Sequence, residues 1–299
     1  METLESLRKK ITGATEIQSV VRTMKTMAAA NIGQYEMAVS SLEDYYRTIV
    51  LGLIAYFREE KIGKIVEKKR LKKKEESSAG AIVFGSDLGL VGQFNDSLSL
   101  YTLRFLNQLP GKKEVWPVGE RIQLLLSENG LNTTQLFAVP NSVDAITSLV
   151  GQILIKSQQS IEEGNLQAIY LFYNKPTQPA GYEPAYQQLL PLDENWKQNL
   201  DQQKWPGKNL PGVAGGRKST LQALVSEFLF VSLFKACAES LASENASRLE
   251  AMQRAKKNID EMLEDLSLTF HRLRQETIDE ELFDVVSGFE ALKDEQENF

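Results

Sequence analysis

The chain has 299 residues, with 42% hydrophobic residues, 25% charged residues and a net charge of -6. A chain of this length is expected to hold about two domains. The acidic balance gives no support for nucleic-acid binding. The single cysteine, Cys237, excludes intrachain disulfides and any multi-cysteine zinc site. The single histidine, His271, lies in a predicted helix and would have to serve any Ser-His-Asp catalysis.

The nine prolines are distributed unevenly, since all of them lie between Pro110 and Pro211. Proline costs about 3 kcal/mol inside a helix, so the proline-free arms 1–109 and 212–299 can support long helices. The longest uncharged run, 129–143, is too short and too polar for a transmembrane helix. The N-terminus has no continuous apolar stretch, so no cleaved secretory signal is expected.

Both arms have apolar residues at steps of three or four, which predicts long helices with a narrow apolar seam. The first arm is expected to reach roughly 80 Å and the second, over about 219–292, roughly 110 Å. Two such helices in one chain are expected to pair antiparallel, because the segment between them must return the chain. The first seam comprises Leu4, Leu7, Ile11, Ala14, Ile17, Val21, Met24, Ala28, Ile32, Tyr35, Ala38, Leu42, Tyr45, Ile49, Leu53 and Tyr56. The second continues through Leu249, Met252, Ala255, Ile259, Leu263, Leu266, Phe270, Leu273, Ile278, Leu282, Val285, Phe289 and Leu292.

The middle of the chain alternates between strand and helix patterns, which predicts an open α/β sheet. A basic segment, 58–76, precedes it and is expected to be a linker or an exposed helix end. The predicted domains are therefore a shaft from 1–57 and 217–299, the linker, and an insert from 77–216. Predicted strands are Ala81–Phe84, Glu114–Val118, Gln135–Val139, Leu166–Tyr173 and Tyr186–Leu192, with helices through Leu98–Leu106, Arg121–Glu128 and Val143–Glu162.

A glycine-rich turn follows the first predicted strand, with Gly85, Gly89 and Gly92. This spacing matches neither the dinucleotide fingerprint nor the phosphate loop, and no GK[ST] tripeptide occurs. Asp87 is expected to stabilise the turn by accepting local backbone amides, although a catalytic role remains an alternative. No metal constellation and no nucleophile–base pair is apparent, so no catalytic, cofactor or metal site is predicted.

Five segments, in this order, resemble the gamma-subunit family of F-type ATP synthases. They are IQSVVRTMKTMAAANI (17–32), GSDLGLVGQFN (85–95), LQAIYLFYNKP with YQQLLPL (166–176 and 186–192), SENASRLEAMQRAKKN (243–258) and LRQETIDEELFDVVSG (273–288). Val91 replaces a frequent family cysteine, and Asp279 stands where threonine is usual. METLESLRKK (1–10), TMKTMAAANIGQYEMAV (23–39) and the basic segment look more like the N-type ATPases, sodium-translocating enzymes of bacteria and archaea.

The resemblance implies a rotor shaft with no catalytic site of its own and no cofactor. Its paired helices would turn inside a ring of alpha and beta subunits, and its insert would stand on the membrane ring of c subunits beside the epsilon subunit. Such a chain is expected at the cytoplasmic face of the plasma membrane of a bacterium or archaeon, as a peripheral protein without a transmembrane segment. The coupling ion, proton or sodium, is not set by this chain.

The resemblance also implies residues that contact the alpha and beta subunits, and Ala28–Ala30 would offer a smooth bearing face. An alternative for Met24 is packing in the seam, and for Arg248 an ordinary surface bridge to Glu244 four residues earlier. Two other functions remain as alternatives: a coiled-coil adaptor with unrelated partners, and a nucleotide-binding α/β enzyme using the glycine turn. The implied contact residues are Met24, Lys25, Arg248, Arg274, Gln275 and Asp279.

Overall fold

Along the chain, a long helix precedes a small α/β domain and a second long helix follows it. The computed structural model describes residues 3–63, 78–177, 181–192, 205, 207, 209, 211–212 and 216–297. The elements in chain order are α1 (Leu4–Gly63), β1 (Ala79–Phe84), α2 (Phe94–Gln108), β2 (Lys113–Val118), α3 (Glu120–Glu128), α4 (Val143–Glu162), β3 (Ala168–Thr177), β4 (Gly181–Leu190) and α5 (Arg217–Glu297). The predicted combination of an α/β insert with long paired terminal helices is confirmed.

The four strands form one mixed sheet in the order β2-β1-β3-β4. Strand β1 runs parallel to both β2 and β3, and β4 is antiparallel to β3. Side chains alternate across β1, so Ile82 and Phe84 face one core while Ala81 and Val83 face the other. The first core is closed by α4, α5 and Tyr35, and the second by α2 and α3. The sheet is therefore covered on both faces, as its apolar strands require.

Most predicted segments are confirmed, and α4 has the predicted bounds, with Ser142 as the N-cap accepting from the amide of Ala145 at 3.3 Å. The predicted strand Gln135–Val139 is wrong. Two isolated bridges pair this region with β2, Val115 with Thr133 and Val118 with Phe137. Between the two bridges the chain advances by three residues along β2 and by four along the other segment, so the two bridges do not share one register.

The chain divides into two compact units, Met1–Met27 with Leu249–Phe299, and Ala28–Arg248. These units do not coincide with the predicted shaft and insert, so that functional division stays a prediction. Helix α1 continues through 58–63 of the predicted linker, and the remainder, 64–76, lies outside the described residues.

Helices α1 and α5 contact each other in both units, and their pairing in the second unit is antiparallel. In the first unit, the Gln18 amide donates to Asp260 at 2.5 Å. In the second, the Asn31 amide donates to Asn245 at 3.4 Å and the Tyr45 hydroxyl to Glu227 at 2.7 Å. Within the second unit, residue numbers rise along α1 from Asn31 to Tyr45 as they fall along α5 from Asn245 to Glu227, which gives the predicted antiparallel sense.

The predicted seam of α1 is wrong at two positions. Ile17 is 57% exposed and Tyr45 is 44% exposed, while the neighbouring Gln18 and Tyr46 are partly buried. Gln18 turns inward because its amide has a partner on α5, and Tyr46 because its ring packs 6.0 Å from that of Phe228. Apolar periodicity alone predicts neither the Gln18 hydrogen bond nor the Tyr46 ring contact.

One described helix, Arg217–Gly288 within α5, is long and apolar enough by length and composition to cross a membrane. A core helix passes the same test, and Phe228, Val231 and Leu233 of α5 are buried within the second unit. The expected lack of a transmembrane segment therefore stays a prediction.

Candidate functional site

The turn after β1 is held by a small buried network within the second unit. The side chain of Asn95 accepts from the Ser86 amide at 3.0 Å and donates to the Ser86 hydroxyl at 2.7 Å. That hydroxyl donates to the Leu88 carbonyl at 2.7 Å. The Asn95 amide and the Ser86 hydroxyl thus form their hydrogen bonds within the turn.

The three glycines of the turn have different structural roles. A Cβ at Gly85 would lie 2.2 Å from the Cβ of Ile122 and 2.9 Å from Oδ1 of Asn95, so only glycine allows α3 to approach β1 this closely. Gly92 adopts a φ of 56°, in the left-handed region. At Gly89 a Cβ would meet nothing within 4 Å.

Asp87 stabilises the turn through a partner distant in sequence. Its Oδ1 accepts from the amide of Glu120, the first residue of α3, at 3.1 Å. The positive end of a helix dipole favours a carboxylate at this position. The expected role in accepting a backbone amide is therefore seen, but the amide lies 33 residues away rather than in the turn.

Helix α5 occupies the edge of the sheet where the parallel strands end. The Ser240 hydroxyl donates to the Phe84 carbonyl at 3.0 Å, and the Ser247 hydroxyl donates to the Val91 carbonyl at 2.6 Å. Open α/β sheets bind their ligands at this edge. Here α5 bonds to the end of β1 and to the turn that follows it, so the geometry gives no support to the nucleotide-binding alternative. Among the residues that the structure describes, no three His, Cys, Asp or Glu side chains group as metal ligands.

Arg248 and Glu244 form an ion pair on α5 that is largely buried. The Nη2 of Arg248 lies 2.6 Å from Oε1 of Glu244, and the side chains are 15% and 7% exposed. Burial raises the pKa of Glu244 despite the lowering effect of Arg248, and the Asp87 charge raises it further. The predicted pairing is present, but it is not an ordinary surface bridge.

Met24 and Lys25 lie on α1 in the first unit, and both are half-buried. Lys25 lines an open groove of about 350 Å³ together with Lys256, Lys257, Asp260 and other polar residues of α5. Ala29 and Ala30 are exposed, but Ala28 is only 1% exposed. Ala28 is therefore part of the packed seam, and the expected smooth face of three alanines is wrong at this residue.

Arg274, Gln275 and Asp279 are exposed on α5 in the first unit. The apolar residues after them were predicted to continue the seam, and this is wrong for Ile278, Leu282 and Val285, which are 50%, 64% and 72% exposed. The side chains of Phe289 and Leu292 lie outside the described residues. Phe283 and Val286 are also exposed and were missed, because periodicity identifies an apolar face but not whether the same chain covers it.

Cys237 lies in the core between α5 and the sheet and is 1% exposed. Burial raises the pKa of its thiol, with a smaller contribution from Glu244. Since the thiolate is the reactive form, this cysteine is expected to be inert in the folded chain.

Comparison with known proteins gives a consistent result over nearly the whole chain. The sequence model of the ATP synthase family matches residues 3–292. The chain is 26% identical to the ATP synthase gamma chain of Anaeromyxobacter sp. (strain Fw109-5), over 98% of this chain and 100% of that one. It is 26% identical to the gamma chain of Haemophilus influenzae (strain PittEE), over 96% and 99%.

Solved structures with a similar fold are rotor and stalk chains. The rotor of the Euglena gracilis mitochondrial ATP synthase aligns with a TM-score of 0.62 at 15% identity, over 92% of this chain and 98% of that one. The central stalk and c-ring structure of Tetrahymena thermophila gives 0.54 at 19% identity, over 79% and 99%. With the family match covering nearly every residue, the chain belongs to the ATP synthase family, and within it to the gamma chains.

Proposed function

We propose that the chain is the central rotor shaft of a rotary ATP synthase, coupling ion flow through a membrane c-ring to ATP synthesis or hydrolysis in a ring of alpha and beta subunits. The observation that carries this proposal is the family match over residues 3–292, on a chain whose terminal helices pair antiparallel around an α/β insert. The insert would stand on the c-ring beside the epsilon subunit.

We further propose that the chain has no catalytic site of its own. Support comes from the edge of the sheet, where α5 lies against Phe84 and Val91. The ATP chemistry would then take place on the alpha and beta subunits. The shaft would act on them through an asymmetric surface, so that each beta subunit meets a different face at a given angle. A rotor can drive their states only through such differential contacts.

The proposed contacts with alpha and beta subunits lie in the first unit of the chain. Met24 and Lys25 are half-buried and retain accessible surface, and Arg274, Gln275 and Asp279 are exposed. The exposed apolar side chains that follow on α5 would be covered by the surrounding subunits, as large exposed apolar patches usually are. They are Ile278, Leu282, Phe283, Val285 and Val286. We assign Arg248 an internal role instead, because its guanidinium pairs with the buried Glu244.

The proposed location is peripheral, at the cytoplasmic face of the plasma membrane of a bacterium or archaeon. The likeness of the N-terminal residues and the basic segment to N-type ATPases favours a sodium-translocating complex. The ion-binding residues of the c subunit encoded beside this chain would test that subtype.

A triple variant, R274A/Q275A/D279A, tests the contact surface in the assembled complex. We expect ATP synthesis driven by an ion gradient to fall at least several-fold, because the shaft loses polar contacts with the beta subunits. Arg272 is the matched control. It lies two residues before Arg274, about 200° around the helix, and its guanidinium Nε is 3.8 Å from Glu276 in an exposed pair. R272A is expected to leave synthesis unchanged.

The measurement is gradient-driven ATP synthesis in vesicles, normalised to the amount of complex that co-purifies with alpha and beta subunits. If the wild-type chain never co-purifies with them, the rotor proposal is wrong and an adaptor with other partners is favoured. If the complex forms but the triple variant synthesises ATP at the wild-type rate, the contact assignment is wrong.

A further inference from the structure

Three serines on one face of α5 donate hydrogen bonds to the main chain of the α/β domain. The hydroxyls of Ser240, Ser243 and Ser247 reach the carbonyls of Phe84, Asn174 and Val91 at 3.0, 3.0 and 2.6 Å. Their spacing of three and four residues places all three on one side of the helix. Each serine is buried, with 3%, 1% and 6% of its surface exposed.

These serines bond differently from six hydroxyls of the described part of α1. On α1, the hydroxyls of Thr12, Thr15, Thr23, Thr26, Ser41 and Thr48 each donate to the carbonyl four residues earlier in the same helix. That intrahelical bond is the common pattern for serine and threonine within helices. Ser240, Ser243 and Ser247 bond instead to three separate segments outside their own helix: the end of β1, strand β3 and the glycine turn.

The Asn174 carbonyl is suited to accept the hydrogen bond from Ser243. Pro184 pairs with Asn174 across β3 and β4, and proline has no amide to donate to the Asn174 carbonyl. The side-chain amide of Asn174 donates to the Phe94 carbonyl at 3.0 Å, which ties the same residue to α2. The Ser243 bond therefore links α5 to a residue that already joins two elements of the α/β domain.

The apolar packing around the serines is less directional than their hydrogen bonds. Ala236, Ala238 and Ala242 are buried beside the sheet, together with the larger Leu241. Apolar burial is non-directional, whereas a hydrogen bond weakens steeply as its geometry is lost. Sliding α5 by one residue would move each hydroxyl by about 1.5 Å along the axis and about 100° around it. All three bonds would break together.

We propose that Ser240, Ser243 and Ser247 are positioning residues that fix the rotational register of α5 on the α/β domain, and so carry torque from that domain to the shaft. The inference rests on the proposed rotor function. It adds the site at which torque passes from the α/β domain to the shaft. The signal in the sequence is three serines at helical spacing within an alanine-rich segment, 236–247. Sequence reasoning missed it because serine is common on solvated helix faces.

The test compares two triple variants in the complete membrane-bound complex. S240A/S243A/S247A removes the three bonds from α5 to β1, β3 and the glycine turn, and T15A/S41A/T48A removes three intrahelical bonds as the control. The quantity measured is the number of ions pumped per ATP hydrolysed. We expect this ratio to fall at least threefold in the first variant, because the shaft slips against the α/β domain while hydrolysis continues. The control variant is expected to keep the wild-type ratio.

A merely structural role would lower the amount of complex and reduce pumping and hydrolysis in proportion, leaving the ratio unchanged. That result, or a wild-type ratio in the first variant, would overturn the inference. If the triple variant fails to assemble, the single variants S240A, S243A and S247A are measured in the same way, each with an expected smaller fall in the ratio. Failure of the rotor proposal itself is distinguishable, because the wild-type chain would then support no coupled pumping.

Discussion

Replacing Gly85 with alanine is expected to destabilise the folded chain by about 3 kcal/mol, at the upper end of the usual cost of overpacking. The added Cβ would lie 2.2 Å from the Cβ of Ile122 and 2.4 Å from its Cγ2. Both atoms lie close to the backbone of α3, so a rotamer change of Ile122 cannot relieve the contact. Either α3 moves away from β1 or the turn opens, and both disturb the core that contains Ile122, Leu126 and Leu98.

Gly89 provides the matched control for this substitution. It lies in the same turn, and a Cβ at this position would meet nothing within 4 Å. G89A is expected to change the free energy of unfolding by less than about 0.5 kcal/mol, as is usual for surface substitutions. Urea unfolding of the full chain measures both variants. Equal effects of G85A and G89A would show that the close approach of α3 to β1 is not what requires glycine.

Replacing Arg248 with methionine is expected to destabilise the chain by about 3–5 kcal/mol, the usual cost of breaking a buried ion pair from one side. The substitution leaves the Glu244 carboxylate buried without its guanidinium partner, and its Oε2 already accepts no hydrogen bond from the described residues. The exposed pair of Arg254 with Glu250 provides a matched control, and R254M is expected to have little effect.

The pH dependence of this effect follows from the direction of the pKa shift. Burial already raises the pKa of Glu244 in the folded chain, and loss of Arg248 removes the main influence that lowers it. A group whose pKa is higher in the folded state favours folding at low pH, and this contribution is lost as pH rises through the folded-state pKa. The penalty of R248M is therefore expected to be larger at pH 8 than at pH 5.

The double variant R248M/E244Q separates the effect of the ion pair on stability from the effect of side-chain packing. Because it removes the buried charge, it is expected to recover most of the stability lost in R248M and to show no comparable pH dependence. If R248M loses little stability, or the loss is the same at both pH values, the two side chains do not act as a buried ion pair.

The sequence predicted the fold well where the apolar pattern of a segment faces a core formed by the same chain. Helix α4 and strand β1 were found because each is apolar toward a core formed by the same chain. Prediction failed where a contact depends on residues distant in sequence. Gln18 faces inward because Asp260 lies opposite it, and the two bridges between β2 and the segment around Phe137 do not share one register.

The functional surfaces were predictable only in part, for the same reason. Arg274, Gln275 and Asp279 were identified through the family resemblance, and their exposure is compatible with contact by other subunits. Periodicity assigned Ile278 and Leu282 to the seam, although both are exposed. The proposed role of Ser243 depends on the carbonyl of Asn174 in β3, 69 residues away, which local sequence does not reveal.

Rotation of this chain inside a complex with alpha and beta subunits is the most direct test of the rotor proposal. A cysteine introduced as E128C on the exposed surface of α3 would carry a bead, with the beta subunits fixed to a support. The buried Cys237, whose thiol pKa is raised by burial, is not expected to compete for the label. The bead is expected to turn stepwise in one direction when ATP is supplied and to stop when ATP is removed. A bead that stays still while the complex hydrolyses ATP would contradict it.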